Sequence, residues 1–468
     1  MASLFQYNTP VRRNFLRSFF LESFGCRATQ ADGAALERDF AAQGLRRAAR
    51  AEEADLVVLN TCTVTAAADQ DARAAIRRVH RENPDAQILV TGCYAQRAPE
   101  EVSALDGVTW VVGNSHKHQA AAIVASDNAQ SFVPLEAVHL SGPAFTVVGD
   151  IFAHTELVAA PVFAADEVGA RTRPNLKVQD GCNNRCSFCI IPSVRGQSRS
   201  MHVPRVIEEA NALVGAGYRE IVLSGINLGR WGRDLKPQQR FVELLRALLE
   251  HTDIEKIRIS SVEPMDWSDE LIGLVAGSRR IAKHAHVPLQ SGSDRILRAM
   301  HRKYRPWHYA EKLRKIREAM PDAAIGADVM TGFPGETDEL FQENLSFIEH
   351  LPFTYLHVFT YSSRPGTPSA TMPNQVPVHV ARERNRMLRE LAAQKNLEFR
   401  RSFVGRTLEV ITLQTSDEGF TEALSDNYLK VRVSGRHNAN QLMKADVMEI
   451  GDEDLVAVAQ EKTATLAV

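Results

Sequence analysis

The feature that most constrains this chain is a repeated alternation of short apolar runs with stretches of helical length. In the first quarter, the runs at 19–24, 55–59, 86–90 and 109–112 each end in turn residues. Residues 33–43 and 66–82 lie between them and have helical length. Strand–helix alternation of this kind predicts an open parallel α/β domain, placed here at 14–126. Residues 127–167 show no period and read as a connecting segment. The alternation then resumes, with strands expected at 176–178, 220–223, 256–259, 284–287, 324–329 and 355–359. Six such units over 168–399 predict a partial or full β/α barrel, whose active site lies at the C-terminal ends of its strands. Residues 377–401 read as a long arginine-rich helix. Beyond it, 407–411, 429–433 and 446–450 change to a period of two, which suits a small β-barrel over 400–466. The fold class is therefore multidomain α/β with a terminal all-β module, as expected for 468 residues.

Composition narrows the setting. The formal net charge of −2 argues neither for nor against nucleic acid, because a local basic patch would vanish in the sum. No apolar run approaches the length that spans a bilayer. Arg12 and Arg13 precede an apolar stretch, but Arg17 and Glu22 interrupt it and no small-residue cleavage site follows. A secretory signal is not expected, and the cytosol is the expected compartment.

The chain has six cysteines: Cys26, Cys62, Cys93, Cys182, Cys186 and Cys189. In a reducing compartment such a set points to metal binding or catalysis rather than to disulfides. The first three stand far apart, yet each follows the C-terminal end of an expected strand, as Gly25-Cys26, Asn60-Thr61-Cys62 and Thr91-Gly92-Cys93. Ligands bind at that edge of an open parallel sheet, so three separate thiols can converge on one point. The last three form Cys-x3-Cys-x2-Cys on one loop after a strand. Three thiolates there can hold three corners of an iron–sulfur cubane and leave one iron open. Zinc would want a fourth cysteine or histidine at finger-like spacing, and none stands nearby. An exogenous chelate can then take the open iron.

With Phe188 before the last cysteine, this motif resembles the radical S-adenosylmethionine superfamily. The superfamily binds S-adenosylmethionine through its amino and carboxylate groups and cleaves it to a 5′-deoxyadenosyl radical. The resemblance extends along the barrel. Ser224-Gly225-Ile226-Asn227 stands where the superfamily touches the methionine amino group, and Pro288-Leu289-Gln290-Ser291-Gly292-Ser293 where it contacts ribose and carboxylate. Asp328-Val329-Met330-Thr331-Gly332-Phe333-Pro334-Gly335-Glu336 resembles the segment that supports the adenine. The resemblance thus assigns Phe188, Gly225, Gln290, Ser291, Asp328, Gly332 and Glu336 to S-adenosylmethionine.

The three N-terminal cysteines, the radical motif and the terminal β-barrel together resemble a methylthiotransferase over nearly the whole chain. That family implies a second [4Fe–4S] cluster on Cys26, Cys62 and Cys93, and a terminal RNA-binding TRAM module. It also implies two molecules of S-adenosylmethionine, one giving the methyl group and one the radical. Gln179-Asp180-Gly181, residues 190–200 and Asn60-Thr61-Cys62-Thr63-Val64-Thr65 are most similar to the branch acting on threonylcarbamoyladenosine at position 37 of tRNA. The isopentenyladenosine branch and the ribosomal-protein aspartate branch are the alternatives. The family usually has Asn three residues after its first cysteine, where this chain has Thr29.

Expected partners are tRNA and an external electron donor; the sulfur source and oligomeric state are not legible. Arg382, Arg384, Arg386 and Arg389, with Lys395, Arg400 and Arg401 beyond, form the clearest basic stripe. Lys430, Arg432, Arg436 and Lys444 offset Asp452, Glu453 and Asp454 in the barrel. Arg382, Arg386, Arg389, Lys430 and Arg432 are the RNA-binding candidates. Tyr428 and Phe420 could stack on bases, but core packing suits them better. The histidines and Trp231, Trp267 and Trp307 read as structural. No general base is assigned, because radical hydrogen abstraction does not require one. A rival of another class is a two-cluster redox protein with an RNA-binding tail. The strand-end segments at Gly225, Gln290 and 332–336 speak against it, since an electron carrier needs no nucleotide pocket.

Overall fold

Every residue of Leu56–Thr61 is buried, as a strand covered on both faces must be. It lies in a parallel sheet whose central strands are β1 Ser18–Ser23, β2 Leu56–Thr61, β3 Gln87–Gly92 and β4 Val108–Gly113, neighbours in that order, with the two-residue strand Arg46–Arg47 parallel to β1 on its outer side. Alternate residues of β2 face opposite layers. Leu56 and Val58 pack with Leu36 and Phe40 of the helix Arg27–Ala42, while Val57 and Leu59 pack with Ala72, Ile76 and Val79 of Ala66–Glu82. The first helix starts six residues before the expected position. Gly33, which disfavours a helix interior, is required there: a Cβ on it would lie 2.1 Å from Ser23 Oγ, so its absence lets helix and β1 approach.

The computed structural model describes residues 16–127, 138–139, 144–153, 172–415 and 419–460. Most of the expected connecting segment lies outside them. Within it, Phe145–Val147 extends the first sheet in parallel and Val138–His139 adds an antiparallel edge. The chain divides into two units, Met1–Thr63 with Ala67–Val158 and Val64–Ala66 with Ala159–Val468.

In the second unit, β5 Asn175–Lys177, β6 Glu220–Ser224 and β7 Lys256–Ile259 form one parallel sheet, and β8 His284–His286, β9 Ala324–Thr331 and β10 Tyr355–Thr360 another. Val262 N donates to His286 O at 3.0 Å and Ile257 bridges Ile281, so the six strands run on as a partial barrel. One face carries Ile221, Leu223, Ile257, Ile259, Ala285, Ile325 and Ala327, all buried. The other face is polar, with Glu220, Arg258, His284, His286 and Asp328.

The terminal module is a closed five-stranded barrel of Thr407–Thr415, Phe420–Ser425, Lys430–Ser434, Leu442–Ile450 and Leu455–Ala459. Val410, Val431, Val433, Val447 and Leu455 fill it. Its second and fifth strands escaped the sequence reading. Phe420–Ser425 alternates with Thr and Glu, and Leu455–Ala459 is five residues long with two alanines. The module docks on the barrel floor through Arg258, whose guanidinium donates to Ser425 O and Asp426 O, each at 3.0 Å. Lys256 reaches Glu409 at 2.7 Å and Asp426 at 3.1 Å. Tyr428 stacks on His284 with ring centres 4.4 Å apart, which matches packing rather than base stacking.

Candidate functional site

In the first unit, Cys26, Cys62 and Cys93 follow the ends of β1, β2 and β3, three adjacent strands. Two glycines with left-handed backbone bring these ends together. At Gly25 (φ 103°) a Cβ would lie 2.7 Å from Cys62 Cβ, and at Gly92 (φ 100°) one would lie 2.3 Å from Thr61 O. Cys62 and Cys93 are buried, Cys26 is exposed, and none of the three is in a disulfide. Asn114, at the end of β4, donates from Nδ2 to Cys93 Sγ at 3.4 Å. Thr29 Oγ1 lies 3.5 Å from Cys26 Sγ, and Asn60 Nδ2 holds the Thr29 carbonyl at 2.7 Å. The departure at Thr29 therefore keeps a polar group beside Cys26. Three thiols at adjacent strand ends, two of them with a polar side chain at the sulfur, suit three corners of a cluster better than they suit an apolar core.

The second thiol set lies on the loop after β5. Gly181 (φ 70°) turns the chain into it; a Cβ there would sit 1.9 Å from Gln197 O. Gln179 staples the loop: its amide donates to Asp180 O, Gly181 O and Ser198 Oγ at 2.8–3.0 Å, and its oxygen accepts from Asn227 N at 2.7 Å. Asp180 takes Arg195 at 3.0 Å and Lys177 at 3.2 Å. Donors are aimed at the sulfurs. Asn184 N and Asn227 Nδ2 approach Cys182 Sγ at 3.4 and 3.5 Å, and Arg302 Nη1 approaches Cys186 Sγ at 3.2 Å. Arg302 also pairs with Glu263 and donates to Tyr304 Oη at 3.1 Å. Desolvation pushes the Cys189 thiol up to about 12, and the neighbouring Cys186 and Cys182 add to it. Burial likewise raises Cys182, while the two asparagine donors pull it back. Thiols so placed ionise readily only with a cation among them, and N–H donors around sulfur are what a cluster's thiolates accept.

The structure distributes the remaining candidates unevenly. Gly225 packs against Gln179, a Cβ there meeting its Oε1 at 3.0 Å, which leaves the 224–227 turn beside the Cys182 loop. Gln290 adopts φ 69° at the end of β8, with its amide bound to Asp328 O. Phe188 packs edge-on to Phe333 with centres 6.5 Å apart. Ser291 is fully buried and its hydroxyl accepts from Ser293 N, so it shapes the turn. Gly332 and Glu336 face the long helix Val378–Arg401. A Cβ on Gly332 would meet Ala381 Cβ at 2.4 Å, and Glu336 accepts from Gly332 N at 2.8 Å and from Arg384 at 2.7 Å. Asp328 points to the polar inner face, where desolvation would raise its pKa; the imidazoles of His286 and His357 beside it outweigh that and hold it well below the usual carboxylate range.

The basic stripe is largely occupied. Arg384 is buried against Glu336, and Arg400 is buried and caps Gly451 O and Asp454 O. Arg386 is exposed but pairs with Glu383 and Glu390, Arg432 with Asp454, and Lys430 with Glu453. Arg389 reaches Val358 O at 3.5 Å. Arg382 is exposed, with no ion-pair partner among the described residues. Trp231 and Trp267 are fully buried, as expected. Trp307 corrects its reading, being 58% exposed at the start of Pro306–Ala319. Arg302, Glu263 and Asn114 were missed, because no spacing rule links them to the cysteines they serve.

Two family models match: the uncharacterized protein family UPF0004 over residues 18–113, and the radical SAM superfamily over 176–348. The chain is 38% identical over 438 residues to threonylcarbamoyladenosine tRNA methylthiotransferase MtaB of Bacillus subtilis (strain 168), covering 92% of this chain and 93% of that protein. It is 36% identical over 437 residues to the tRNA-2-methylthio-N(6)-dimethylallyladenosine synthase of Thermobifida fusca (strain YX), covering 92% and 84%. Among solved structures it is similar to the radical S-adenosylmethionine methyltransferase TsrM from Kitasatospora setae, with a TM-score of 0.57 and 15% identity over 76% of this chain and 77% of that one. That likeness concerns the fold alone.

Proposed function

The chain belongs to the radical S-adenosylmethionine methylthiotransferase family, and we propose from this that it inserts a methylthio group at carbon 2 of threonylcarbamoyladenosine at position 37 of tRNA. One observation carries the reading: two separate three-thiol sets, each at the C-terminal ends of parallel strands and each provided with N–H donors. When bound, the two [4Fe–4S] clusters supply the electron that cleaves the sulfonium of S-adenosylmethionine and the sulfur that is inserted.

Cys182, Cys186 and Cys189 would hold the radical-generating cluster, and Cys26, Cys62 and Cys93 the auxiliary one. Around the first set, Arg302 and Asn227 donate to two of the sulfurs and so stabilise their thiolate charge. Glu263 keeps Arg302 aimed, because the pair is desolvated and neither partner can be left alone at low cost. Gln179 ties the cysteine loop to the 224–227 turn, so the two walls of a cofactor pocket move together. We assign Gln290 and Phe188 to the same pocket.

We assign 14–126 to the auxiliary-cluster domain, 168–399 to the radical core and 400–466 to a TRAM-like module that holds tRNA, with 127–167 connecting. Cytoplasmic localisation follows from a tRNA substrate; among the described residues no helix is long and apolar enough to cross a membrane. Electrons come from an external donor. Dimethylallyl-type adenosine is the second reading, kept by the 36% identity to a synthase of that branch.

Mass spectrometry of tRNA nucleosides from a deletion strain is the test. Loss of the methylthio form of threonylcarbamoyladenosine supports the reading, and its persistence rejects the branch. In the purified, reconstituted protein, Cys26→Ala should abolish methylthiolation and still release 5′-deoxyadenosine. Cys186→Ala should stop both. Full product from Cys26→Ala would remove the auxiliary site from the mechanism.

A further inference from the structure

One side-chain cluster on the inner face of the partial barrel is used by neither cysteine set. Asp328 on β9 and His357 on β10 are direct cross-strand partners, and His286 on β8 lies opposite Gly326, two residues from Asp328 on the same face. Three adjacent strands therefore present two imidazoles and one carboxylate to one point. His286 Nε2 and His357 Nδ1 stand 3.4 and 3.3 Å from Asp328 Oδ1, and all three donor atoms fall within 4.8 Å of one another. Ligand distances of about 2.1 Å around one ion place neighbouring donors about 3.0–3.5 Å apart, which the two carboxylate–imidazole spacings match, and the two imidazole nitrogens lie within 4.8 Å of each other.

The state of the buried His286 ring supports a metal site. His286 is buried, and its Nε2 makes no hydrogen bond. Its other nitrogen, Nδ1, is 2.7 Å from Ser261 Oγ. That is how a metal-binding histidine is usually oriented, one nitrogen tied to an outer partner and the other free to ligate. His357 is half exposed and Asp328 about a quarter exposed, which leaves open positions for water or an incoming ligand. Tyr355 walls one side; its ring lies over Gly326, where a Cβ would be 1.9 Å from Cζ, and 6.0 Å from the His286 ring. All three donors stand on strands, so the constellation is rigid.

We propose that His286 Nε2, Asp328 Oδ1 and His357 Nδ1 bind a divalent transition-metal ion of the zinc or ferrous class, chemically separate from the cysteine sites. Two nitrogens with one carboxylate and open positions suit such ions, whereas calcium and magnesium require more oxygens.

The test uses the protein with both clusters reconstituted, so that the thiolates are already occupied, and titrates it anaerobically with cobalt(II). Wild type should take up one equivalent, with ligand-field absorption and no sulfur-to-cobalt charge-transfer band. His357→Ala, at the half-exposed position, and Asp328→Asn should each weaken binding at least about tenfold while iron content stays unchanged. Ser261→Ala should weaken it about 10- to 100-fold through the ring it orients. Absence of cobalt uptake by the wild type overturns the proposal. Equal uptake by wild type, His357→Ala and Asp328→Asn overturns it as well.

Discussion

Gly92→Ala tests whether the N-terminal thiols depend on the close meeting of strand ends. Gly92 has φ 100°, and the added methyl would lie 2.3 Å from Thr61 O, 2.6 Å from Thr61 N and 2.9 Å from Asn60 Oδ1. With ψ −161° this backbone lies in a region that essentially only glycine occupies, and an L-residue there costs about 1–3 kcal/mol. Overpacking against buried backbone adds about 1–3 kcal/mol, so the substitution should destabilise the first unit by about 2–6 kcal/mol. Gly44→Ala is the matched control. It has φ 84° with nothing within 4 Å of the new carbon, so only the backbone cost of about 1–2 kcal/mol applies.

The functional consequence follows from geometry. Ordinary contact begins near 3.4 Å, so β2 and β3 must part by about 1 Å at the Thr61–Gly92 pair to admit the methyl. Cys62 and Cys93 are the next residues on each strand, and ligand positions tolerate only about 0.2 Å. Both substitutions are to be made in a background where Cys182, Cys186 and Cys189 are alanine, so that iron reports the N-terminal set alone. After anaerobic reconstitution, Gly44→Ala should keep the iron and sulfide of its parent, and Gly92→Ala should lose most of both. Urea unfolding of the same proteins supplies the stability difference. Equal iron content and equal stability for the two variants would refute the reasoning.

Arg258→Ala removes a fully buried guanidinium from Glu220 and from two carbonyls of the terminal barrel. Breaking such a pair costs about 3–5 kcal/mol; Arg173, 3.6 Å from Glu220, places the loss toward the lower end, read by urea unfolding. Asp55 accepts from Arg17 N, Ser18 N and Ser18 Oγ at 2.9–3.0 Å, and these bonds outweigh desolvation to lower its pKa. Its stabilising effect is full above the unfolded carboxylate range and is lost as pH falls through the lower folded value, so Asp55→Asn should flatten the acid limb of a thermal-stability profile. On tRNA, Arg382→Ala should reduce the salt dependence of binding by roughly 0.7–0.9 of a unit in log–log slope. Arg386→Ala should leave that slope unchanged, since Glu383 and Glu390 already hold the guanidinium.

What could be read from residue order alone follows the range of the interactions involved. The strands of the first sheet were visible because burial on both faces demands contiguous apolar residues, whereas the expected 256–259 strand, which coincides with Lys256–Ile259, was visible from Ile257 and Ile259 alternating with Lys256 and Arg258. The Cys182–Cys189 loop was visible because its ligands are neighbours in sequence. Cys26, Cys62 and Cys93 were visible because strand ends in a parallel sheet converge by topology. The charged residues were not visible in the same way. Arg384 reads as a surface cation until Glu336, 48 residues earlier, is seen to neutralise it. Arg302 reads as a loop residue until Cys186, 116 residues earlier, is seen to accept from it. Sequence shows where a charge is, whereas its role is set by what the fold places against it. His286, Asp328 and His357 carry this furthest, since the sequence read both histidines as structural and Asp328 only as part of the segment beside S-adenosylmethionine. Only the register of β8, β9 and β10 turns three unrelated side chains into one donor set. Function in this chain is therefore legible where ligands are contiguous or fixed by topology, and emerges only from register where they are not.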